Sequence, residues 1–132
     1  VGITATINPV EWETWLSETY MGRDFESTVV GFDASNLSAG ALLNRWVSTD
    51  GNNMINYNNP EYDSLMAQAA ATTDDAQQAT KLYKQCEKIL AETAANVYIQ
   101  DLPDFVLLKS NLEGYQFYPL YVMDLSTVHY VQ

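Results

Sequence analysis

The chain has 132 residues and a formal net charge of −11, because 17 aspartate and glutamate side chains outnumber 6 lysines and arginines. Apolar residues make up 47% of it and charged residues 17%, a balance typical of a globular domain rather than a disordered segment. The acidic surface repels polyanions, which disfavours nucleic acid as a partner. No apolar run in the sequence approaches the roughly 18 residues needed to span a bilayer.

The first third of the chain predicts two units of a strand followed by a helix. Apolar and polar side chains alternate over residues 3 to 7, the period of a strand, and tryptophans then recur at helical spacing near residues 11 to 20 until Gly22. A second strand is predicted near residues 27 to 33, followed by a short helix near residues 38 to 47. Two such units in succession favour a parallel sheet covered by helices.

Two longer helices follow a polar loop rich in glycine and asparagine. Asn59 is the predicted N-cap of a helix over residues 60 to 71, which has proline at its first position. Apolar residues at spacings of three and four predict one continuous helix over residues 74 to 94, with Thr73 or Asp74 as its cap. Each helix carries an apolar stripe and is expected to bury it.

The last third loses the helical period and is rich in valine, isoleucine, phenylalanine and tyrosine. A further strand of the sheet is predicted near residues 96 to 108, with turns at Pro103 and Gly114. The aromatic run "GYQFYPLYVMD" is interpreted as packing, although an exposed aromatic patch of a protein-interaction module is an open alternative. The predicted fold class is α/β, with a small mixed sheet flanked by about four helices.

Residue types that carry catalytic or metal chemistry are sparse. Cys86 is the one cysteine and lies in a helical pattern, so it is interpreted as a core residue, and His129 is the one histidine. The side-chain oxygens of Asp50, Asn52 and Asn56 are compatible with calcium, but the glycine directly after Asp50 does not fit an EF-hand loop. No metal and no cofactor is expected.

Paired acidic residues are the feature of the sequence that would support an enzymatic function. Asp74 with Asp75, or Asp101 with Asp104, would suit a small acidic hydrolase that uses two carboxylates in one pocket. Adjacent acids at helix starts and in loops are usually solvated, so a catalytic role is disfavoured. A small acidic hydrolase remains the alternative function.

The order of several motifs resembles one known family. The chain contains, in sequence, "GITATINPVEWETWL", a predicted strand ending in "GFDAS", "NYNNPEYD" at residues 56 to 63, "LYKQCEKIL" before "VYIQ", and "EGYQF". This order is similar to the C-terminal lobe of family 5 extracellular solute-binding proteins, the receptors of peptide, nickel and related ABC importers. The resemblance implies that residues 1 to 132 form a single domain, a partial periplasmic-binding-protein-like lobe excised from a larger two-lobed protein.

The resemblance also implies a function and a location. Receptors of this family capture a peptide or another small solute between their lobes and deliver it to ABC permease subunits, so the chain is expected not to be an enzyme. The implied location is the periplasm or, with a lipid anchor, the extracellular face of the cell membrane. Membrane association is expected only through the missing N-terminus of the parent protein.

The resemblance implies that the ligand lies near the end of the second predicted strand. Peptide-binding relatives have Gly-Trp and then Ala-Asp there; Gly31, Phe32 and Ala34 match this pattern, Ser35 replaces the aspartate, and Val29 replaces an arginine. Both charged contacts to a zwitterionic peptide are absent from these positions, which weakens the expectation of a peptide ligand. The candidate ligand-binding residues are Phe32, Asp33, Ser35, Asn36, Gln100 and Asp101.

A lone lobe would offer only part of the contacts that a closed two-lobed receptor makes. We expect it to bind the parent's solute at least ~100-fold more weakly, a loss of about 2.7 kcal/mol. Self-association of the piece is also expected, through its first strand or through the aromatic residues near residues 115 to 121.

Overall fold

The computed structural model describes residues 2–32, 36, 38–101, 103, 105–118 and 123–131. Its helices in chain order are α1 (Trp12–Thr14), a π-helical segment (Trp15–Met21), α2 (Ala39–Leu43), a 3-10 turn (Asn44–Trp46), α3 (Pro60–Ala71) and α4 (Ala76–Glu92). Two short strands follow, β1 (Leu112–Glu113) and β2 (His129–Tyr130). None of these helices is long and apolar enough to cross a bilayer. The chain is thus a mixed structure of helices and one small sheet.

The hydrophobic core lies where α2, α3 and α4 meet, since α3 packs against α4 and α2 contacts both. Its buried side chains are Leu43, Trp46, Tyr62, Met66, Cys86 and Leu90. Four of these six belong to the apolar stripes of α3 and α4, so the helical periodicity identified the buried faces correctly. The interpretation of Cys86 as a core residue is confirmed, because its side chain is fully buried.

The start of α3 is as the sequence predicts. The Asn59 side chain accepts hydrogen bonds from the backbone N–H groups of Glu61 (3.0 Å) and Tyr62 (3.1 Å). Pro60 takes the first helical position, where its missing N–H group costs no intrahelical hydrogen bond. The helix therefore begins where local side-chain chemistry favours it.

The helix α4 is continuous, as predicted, but its cap is not the predicted one. The Asp75 carboxylate accepts a hydrogen bond of 2.9 Å from the backbone N–H of Gln78 and caps the helix. The predicted caps, Thr73 and Asp74, precede this position and are exposed. Asp74 and Asp75 are both residues that are favoured at an N-cap, and the backbone geometry places Asp75 at that position.

The first predicted helix forms in two parts, α1 and the π-helical segment, and ends at Gly22 as predicted. The backbone N–H of Gly22 donates to the carbonyl oxygen of Ser17 over 3.0 Å, the five-residue spacing of a π-helix. The rings of Trp12 and Trp15 stack with their centroids 5.1 Å apart, and Trp15 Nε1 donates to Thr28 Oγ1 over 2.9 Å. This hydrogen bond connects the helix to the segment that precedes Phe32.

The strands predicted near residues 3 to 7, 27 to 33 and 96 to 108 are wrong for every residue that the structure describes in those ranges. A β-strand forms only when its backbone N–H and C=O groups pair with a neighbouring strand, and alternation of side chains does not supply that neighbour. Apolar side chains in these segments are therefore exposed, for example Ile7 (89%) and Leu107 (97%).

The sheet of the described residues has two strands and is antiparallel, rather than the small mixed sheet that was predicted. β1 pairs with β2, so that Leu112 lies opposite Tyr130. Gly114, directly after β1, has a φ of +82°, and a Cβ atom there would collide with the carbonyl oxygen of Thr127. Only glycine fits this position without strain, which explains the glycine in the "EGYQF" motif.

Candidate functional site

Phe32, the aromatic residue predicted to line the ligand cleft, packs against Arg45. The guanidinium carbon Cζ lies 4.2 Å from the centroid of the Phe32 ring, which is a cation–π contact. Arg45 belongs to the 3-10 turn that continues α2, and both side chains are half-buried. The aromatic ring thus fixes where the positive charge lies.

A polar cleft with a volume of about 360 Å³ opens beside Arg45. It lies between α2 with its 3-10 turn and the loop that follows. The residues that line it are Gly40, Ala41, Asn44, Arg45, Asp50 and Asn52. A cleft of this size suits a small solute or one end of a larger one.

The loop wall of the cleft is held by Asn53, a buried polar side chain with 4% of its surface exposed. Its Nδ2 donates to the carbonyl oxygens of Val47 (3.2 Å) and Tyr57 (2.8 Å), and its Oδ1 accepts from the backbone N–H of Tyr57 (2.9 Å). Three hydrogen bonds on one buried amide fix the loop backbone. The neighbouring Asp50 and Asn52 therefore extend from a well-defined wall.

The N-terminal helical segment supports the same wall. The Tyr20 hydroxyl donates to Asn52 Oδ1 over 2.7 Å. The Arg23 guanidinium donates to the carbonyl oxygen of Asn53 and, at 3.5 Å, to that of Gly51. These contacts couple the position of the cleft wall to a helix that lies far away in the sequence.

Arg45 and Asp50 are the charged residues of the cleft lining, and they differ in how many hydrogen-bond partners their side chains have. The Asp50 carboxylate accepts hydrogen bonds from the Asn44 side-chain amide and, at 2.7 Å, from the Asn52 backbone N–H. The Nε atom of Arg45 is buried without a hydrogen-bond partner. Arg45 forms no ion pair with any carboxylate that the structure describes. The cleft lining therefore contains a positive group, although its unpaired Nε atom has no surface open to the cleft.

Two of the four residues predicted at the end of the second strand fall within the described ranges. Phe32 packs as stated above, and Asn36 is exposed, with its Oδ1 accepting a hydrogen bond of 3.0 Å from the backbone N–H of Ser38. Ser38 is the N-cap of α2, so Asn36 lies just before this helix. Asp33 and Ser35 lie outside the described residues.

The other predicted pair, Gln100 and Asp101, lies in a segment without strand structure and is exposed to solvent. Among the hydrogen bonds of the described residues, none joins this pair to Phe32 or Asn36. Phe32 therefore contacts Arg45 of the cleft lining, and the residues that line the cleft include neither Phe32 nor this pair.

The motif at residues 56 to 63, which is the most specific part of the family resemblance, serves the scaffold. The Tyr62 hydroxyl donates to the carbonyl oxygen of Leu43 over 2.6 Å, and Asp63 accepts a hydrogen bond of 2.9 Å from the Ser48 backbone N–H. Burial raises the pKa of the Tyr62 hydroxyl far above its ordinary value, so it remains a protonated donor. This motif orients α3 against α2 and the cleft loop.

The acids considered for hydrolysis do not form a buried pair among the described residues. Asp75 caps α4, and Asp74 and Asp101 are exposed. Asp104 lies outside the described residues. The part of the chain that the structure describes contains no group of three or more His, Cys, Asp or Glu residues arranged to hold a metal ion. The hydrolase alternative therefore has no support here.

The sequence analysis did not identify Arg45 or Asn44 as residues of a ligand site, and it considered Asn52 only as a calcium ligand. Charge distribution could have indicated the first of them, since Arg23 and Arg45 are the two cationic residues among the first 80 of an acidic chain. One of these arginines holds the wall of the cleft and the other lines it. Scarce cations in an acidic sequence were thus the missed feature.

Comparison with known proteins finds relatives over most of the chain. The periplasmic oligopeptide-binding protein OppA of Haemophilus influenzae is 33% identical over 105 residues, which cover 80% of this chain and 19% of the relative. The probable deoxycholate-binding periplasmic protein YgiS of Escherichia coli is 32% identical over 115 residues, 87% of this chain and 21% of the relative. The oligopeptide-binding protein AppA of Bacillus subtilis is 26% identical over 121 residues, 90% and 22% respectively.

The chain spans about one fifth of the length of the curated relatives it matches. No family model and no solved structure matches it. These relatives are named as binding proteins and not as enzymes. The resemblance seen in the sequence motifs is confirmed by these matches, and the chain belongs to the family 5 solute-binding proteins.

Proposed function

We propose that this chain is part of the solute-binding receptor of an ABC importer, which captures a peptide or another small solute between two lobes and delivers it to a permease. The observation that carries the proposal is the match of at least 80% of the chain to proteins named for binding oligopeptides or deoxycholate. Those names describe the relatives, and their variety leaves the solute of this receptor to be identified. The polar cleft beside Arg45 supports a binding role, because it is concave and lined by charged and amide side chains.

In this proposal, residues 1 to 132 are a single domain within the second, C-terminal lobe of that receptor. Exposed apolar side chains in segments without strand pairing support it. These residues are Ile3 and Ile7, Val97 and Ile99, and Phe105 and Leu107. Pairing with strands from the rest of the receptor would complete a sheet and cover these side chains.

The proposed location is the periplasm, since two of the relatives above are named as periplasmic proteins. Lipid anchoring at the extracellular face of the membrane is the second arrangement that the family resemblance suggests. Osmotic-shock fractionation distinguishes them, because a periplasmic receptor is released into the soluble fraction and an anchored receptor stays with the membranes.

The proposed ligand-binding residues remain Phe32, Asp33, Ser35, Asn36, Gln100 and Asp101. We test them in the full receptor by substituting Asp33→Ala and Ser35→Ala and measuring solute affinity by calorimetry. Both variants should bind more weakly while their melting temperatures fall by no more than a few degrees. Asp74→Ala is the matched control, because it removes an exposed carboxylate away from the cleft. If solute affinity is unchanged in both variants, Asp33 and Ser35 do not belong to the binding site.

The two-lobe arrangement is tested by comparing the 132-residue chain with the full receptor. Calorimetry with the same solute should show binding at least ~100-fold weaker for the isolated chain, a difference of about 2.7 kcal/mol. Light scattering at several concentrations should show that the isolated chain associates with itself. Equal affinities would mean that the whole site lies within this chain, and the two-lobe proposal would have to be abandoned.

A further inference from the structure

One aspartate of the chain is followed directly by glycine. Asp50 precedes Gly51 in the loop over residues 47 to 57, whereas the other five glycines follow valine, methionine, alanine or glutamate. The backbone nitrogen that follows an aspartate can attack the side-chain carboxyl group, and glycine permits this because it has no side chain to block the approach. The Asp50–Gly51 pair is therefore the place in this sequence where such a reaction meets the least steric resistance.

The fold holds the Asp50 side chain over this peptide bond. Its Oδ1 atom accepts a hydrogen bond of 2.7 Å from the backbone N–H of Asn52, and its Oδ2 atom accepts from the Asn44 side-chain amide. The first bond closes an Asx turn, a ring of atoms that contains both the carboxyl carbon Cγ of Asp50 and the backbone nitrogen of Gly51. The carbon that is attacked therefore lies beside the nitrogen that attacks it.

The glycine side of the pair is open to solvent. Gly51 is exposed, and a Cβ atom built there would meet no atom from outside the adjacent residues. The turn itself is held on both sides, because the Asp50 N–H donates to the Val47 carbonyl oxygen over 3.0 Å and the Asn53 N–H donates to the Asp50 carbonyl oxygen over 3.1 Å. Water can thus reach the pair while the backbone keeps the turn in place.

From these observations we infer that Asp50 converts to isoaspartate in the folded chain. The Gly51 nitrogen attacks Cγ of the protonated Asp50 carboxyl group, an N–Cγ bond forms, and the carboxyl hydroxyl leaves as water with the proton of that nitrogen. Solvent water then opens the resulting succinimide. Addition at Cγ restores aspartate, whereas addition at the backbone carbonyl carbon breaks its bond to the Gly51 nitrogen and gives isoaspartate of unchanged mass.

Isoaspartate changes the wall of the polar cleft. It adds one carbon to the backbone between residues 50 and 51 and places the free carboxylate directly on Cα, so the two hydrogen bonds of the Asp50 carboxylate lose their geometry. Asn44 and Asn52, which line the same cleft, then lose their contacts with residue 50. The inference does not depend on the proposed receptor function, because the reaction needs no solute.

The experiment incubates the purified 132-residue chain in mildly acidic buffer, in which part of the carboxyl groups are protonated. Isoaspartyl methyltransferase with labelled S-adenosylmethionine measures the isoaspartate, and electron-transfer fragmentation of peptides locates it. Label should accumulate at residue 50 and not at Asp63, which precedes serine within the hydrogen-bonded backbone of α3. No isoaspartate at residue 50, or equal amounts at Asp63, would overturn the inference. Isoaspartate that forms only in concentrated guanidinium chloride would also overturn it, since the folded loop would then prevent the reaction.

A variant then assigns the reaction to the glycine. Gly51→Ala should lose the isoaspartate signal, because the added methyl group hinders the attacking nitrogen while the loop has room for it. Gly31→Ala is the matched control, since Gly31 is equally open and exposed but follows valine, and it should isomerise like the unmodified chain. Isoaspartate that forms as fast in Gly51→Ala as in the unmodified chain would overturn the inference. The comparison of folded and denatured chain remains decisive if the variant fails to fold.

The effect on the cleft wall is measured on the isoaspartate form after chromatographic separation. Its Asn52 backbone N–H should exchange with solvent deuterium faster than in the unmodified chain, because its acceptor on residue 50 has moved. Equal exchange in the two forms would overturn the predicted change in the wall.

Discussion

The Tyr62 hydroxyl donates a hydrogen bond of 2.6 Å to the backbone carbonyl oxygen of Leu43, the last residue of α2. A side chain of α3 thus bonds to the carbonyl group at which α2 passes into the 3-10 turn. Because the Tyr62 side chain is fully buried, the bond forms away from water. It fixes the point from which the 3-10 turn carries Arg45 toward the cleft, so the core and the candidate site share this contact.

Removing this hydroxyl should destabilise the chain. Tyr62→Phe removes a buried hydrogen bond to the Leu43 carbonyl oxygen, and we expect the free energy of unfolding to fall by about 1 to 2 kcal/mol. Urea denaturation measures the change. The control is Tyr83→Phe, because Tyr83 is half-buried and its hydroxyl makes no hydrogen bond among the described residues. Equal losses in the two variants would contradict the role assigned to the Tyr62 bond.

Stability should decrease at alkaline pH because of the same residue. Burial raises the pKa of Tyr62 in the folded chain, so above about pH 10 the unfolded chain releases a proton that the folded chain keeps. Its stabilising contribution is complete below that pH and is lost as the pH rises, with a slope of up to about 1.4 kcal/mol per pH unit. Urea midpoints from about pH 8 to about pH 11 should show this slope. Tyr62→Phe should make the slope less steep, with a remainder from Cys86 and Tyr98, whose pKa values burial also raises, and an unchanged slope would mean that Tyr62 does not contribute.

The wall of the cleft should depend on Asn53. Asn53→Ala removes three hydrogen bonds and leaves the carbonyl oxygen and the backbone N–H of Tyr57 without their Asn53 partner, which we expect to cost about 2 to 3 kcal/mol of unfolding free energy. Asn58→Ala is the control, because Asn58 is exposed and makes no side-chain hydrogen bond among the described residues. If both variants have the same urea midpoint, the loop is not held by the Asn53 amide.

The turn after β1 should accept only glycine. Gly114→Ala places a Cβ atom against the Thr127 carbonyl oxygen at a φ of +82°, and the strain of about 1 to 3 kcal/mol should open the pairing of β1 with β2. Hydrogen exchange at the Leu112 and Tyr130 amides measures this locally. Gly31→Ala should leave the exchange unchanged, because a Cβ atom there meets no neighbouring atom. Retained protection in Gly114→Ala would show that the turn can relax.

The thiol of Cys86 should be unreactive in the folded chain. Burial raises its pKa, which lowers the fraction of reactive thiolate, and its side chain has no exposed surface. Ellman's reagent should therefore react at least ~100-fold more slowly with the native chain than with the chain in concentrated urea. Comparable rates would mean that the core formed by α2, α3 and α4 opens readily.

The helices and their buried faces could be predicted from the sequence because their causes are local. Asn59 and Pro60 set the start of α3 through hydrogen bonds and backbone angles within one turn. Apolar residues at spacings of three and four place Cys86 on the buried side of α4 for the same reason. The family relationship was also contained in the sequence, since it rests on the order of motifs.

The strands and the cleft were decided by tertiary structure. Alternation over residues 3 to 7 gives a side-chain pattern, whereas a strand needs backbone partners that sequence spacing does not supply. The cleft depends on contacts between residues distant in the chain: the Phe32 ring on the Arg45 guanidinium, and the Tyr20 hydroxyl on Asn52, 32 residues away. Such contacts depend on the packing of α2, α3 and α4, because each bond alone is too weak to order the chain that it joins.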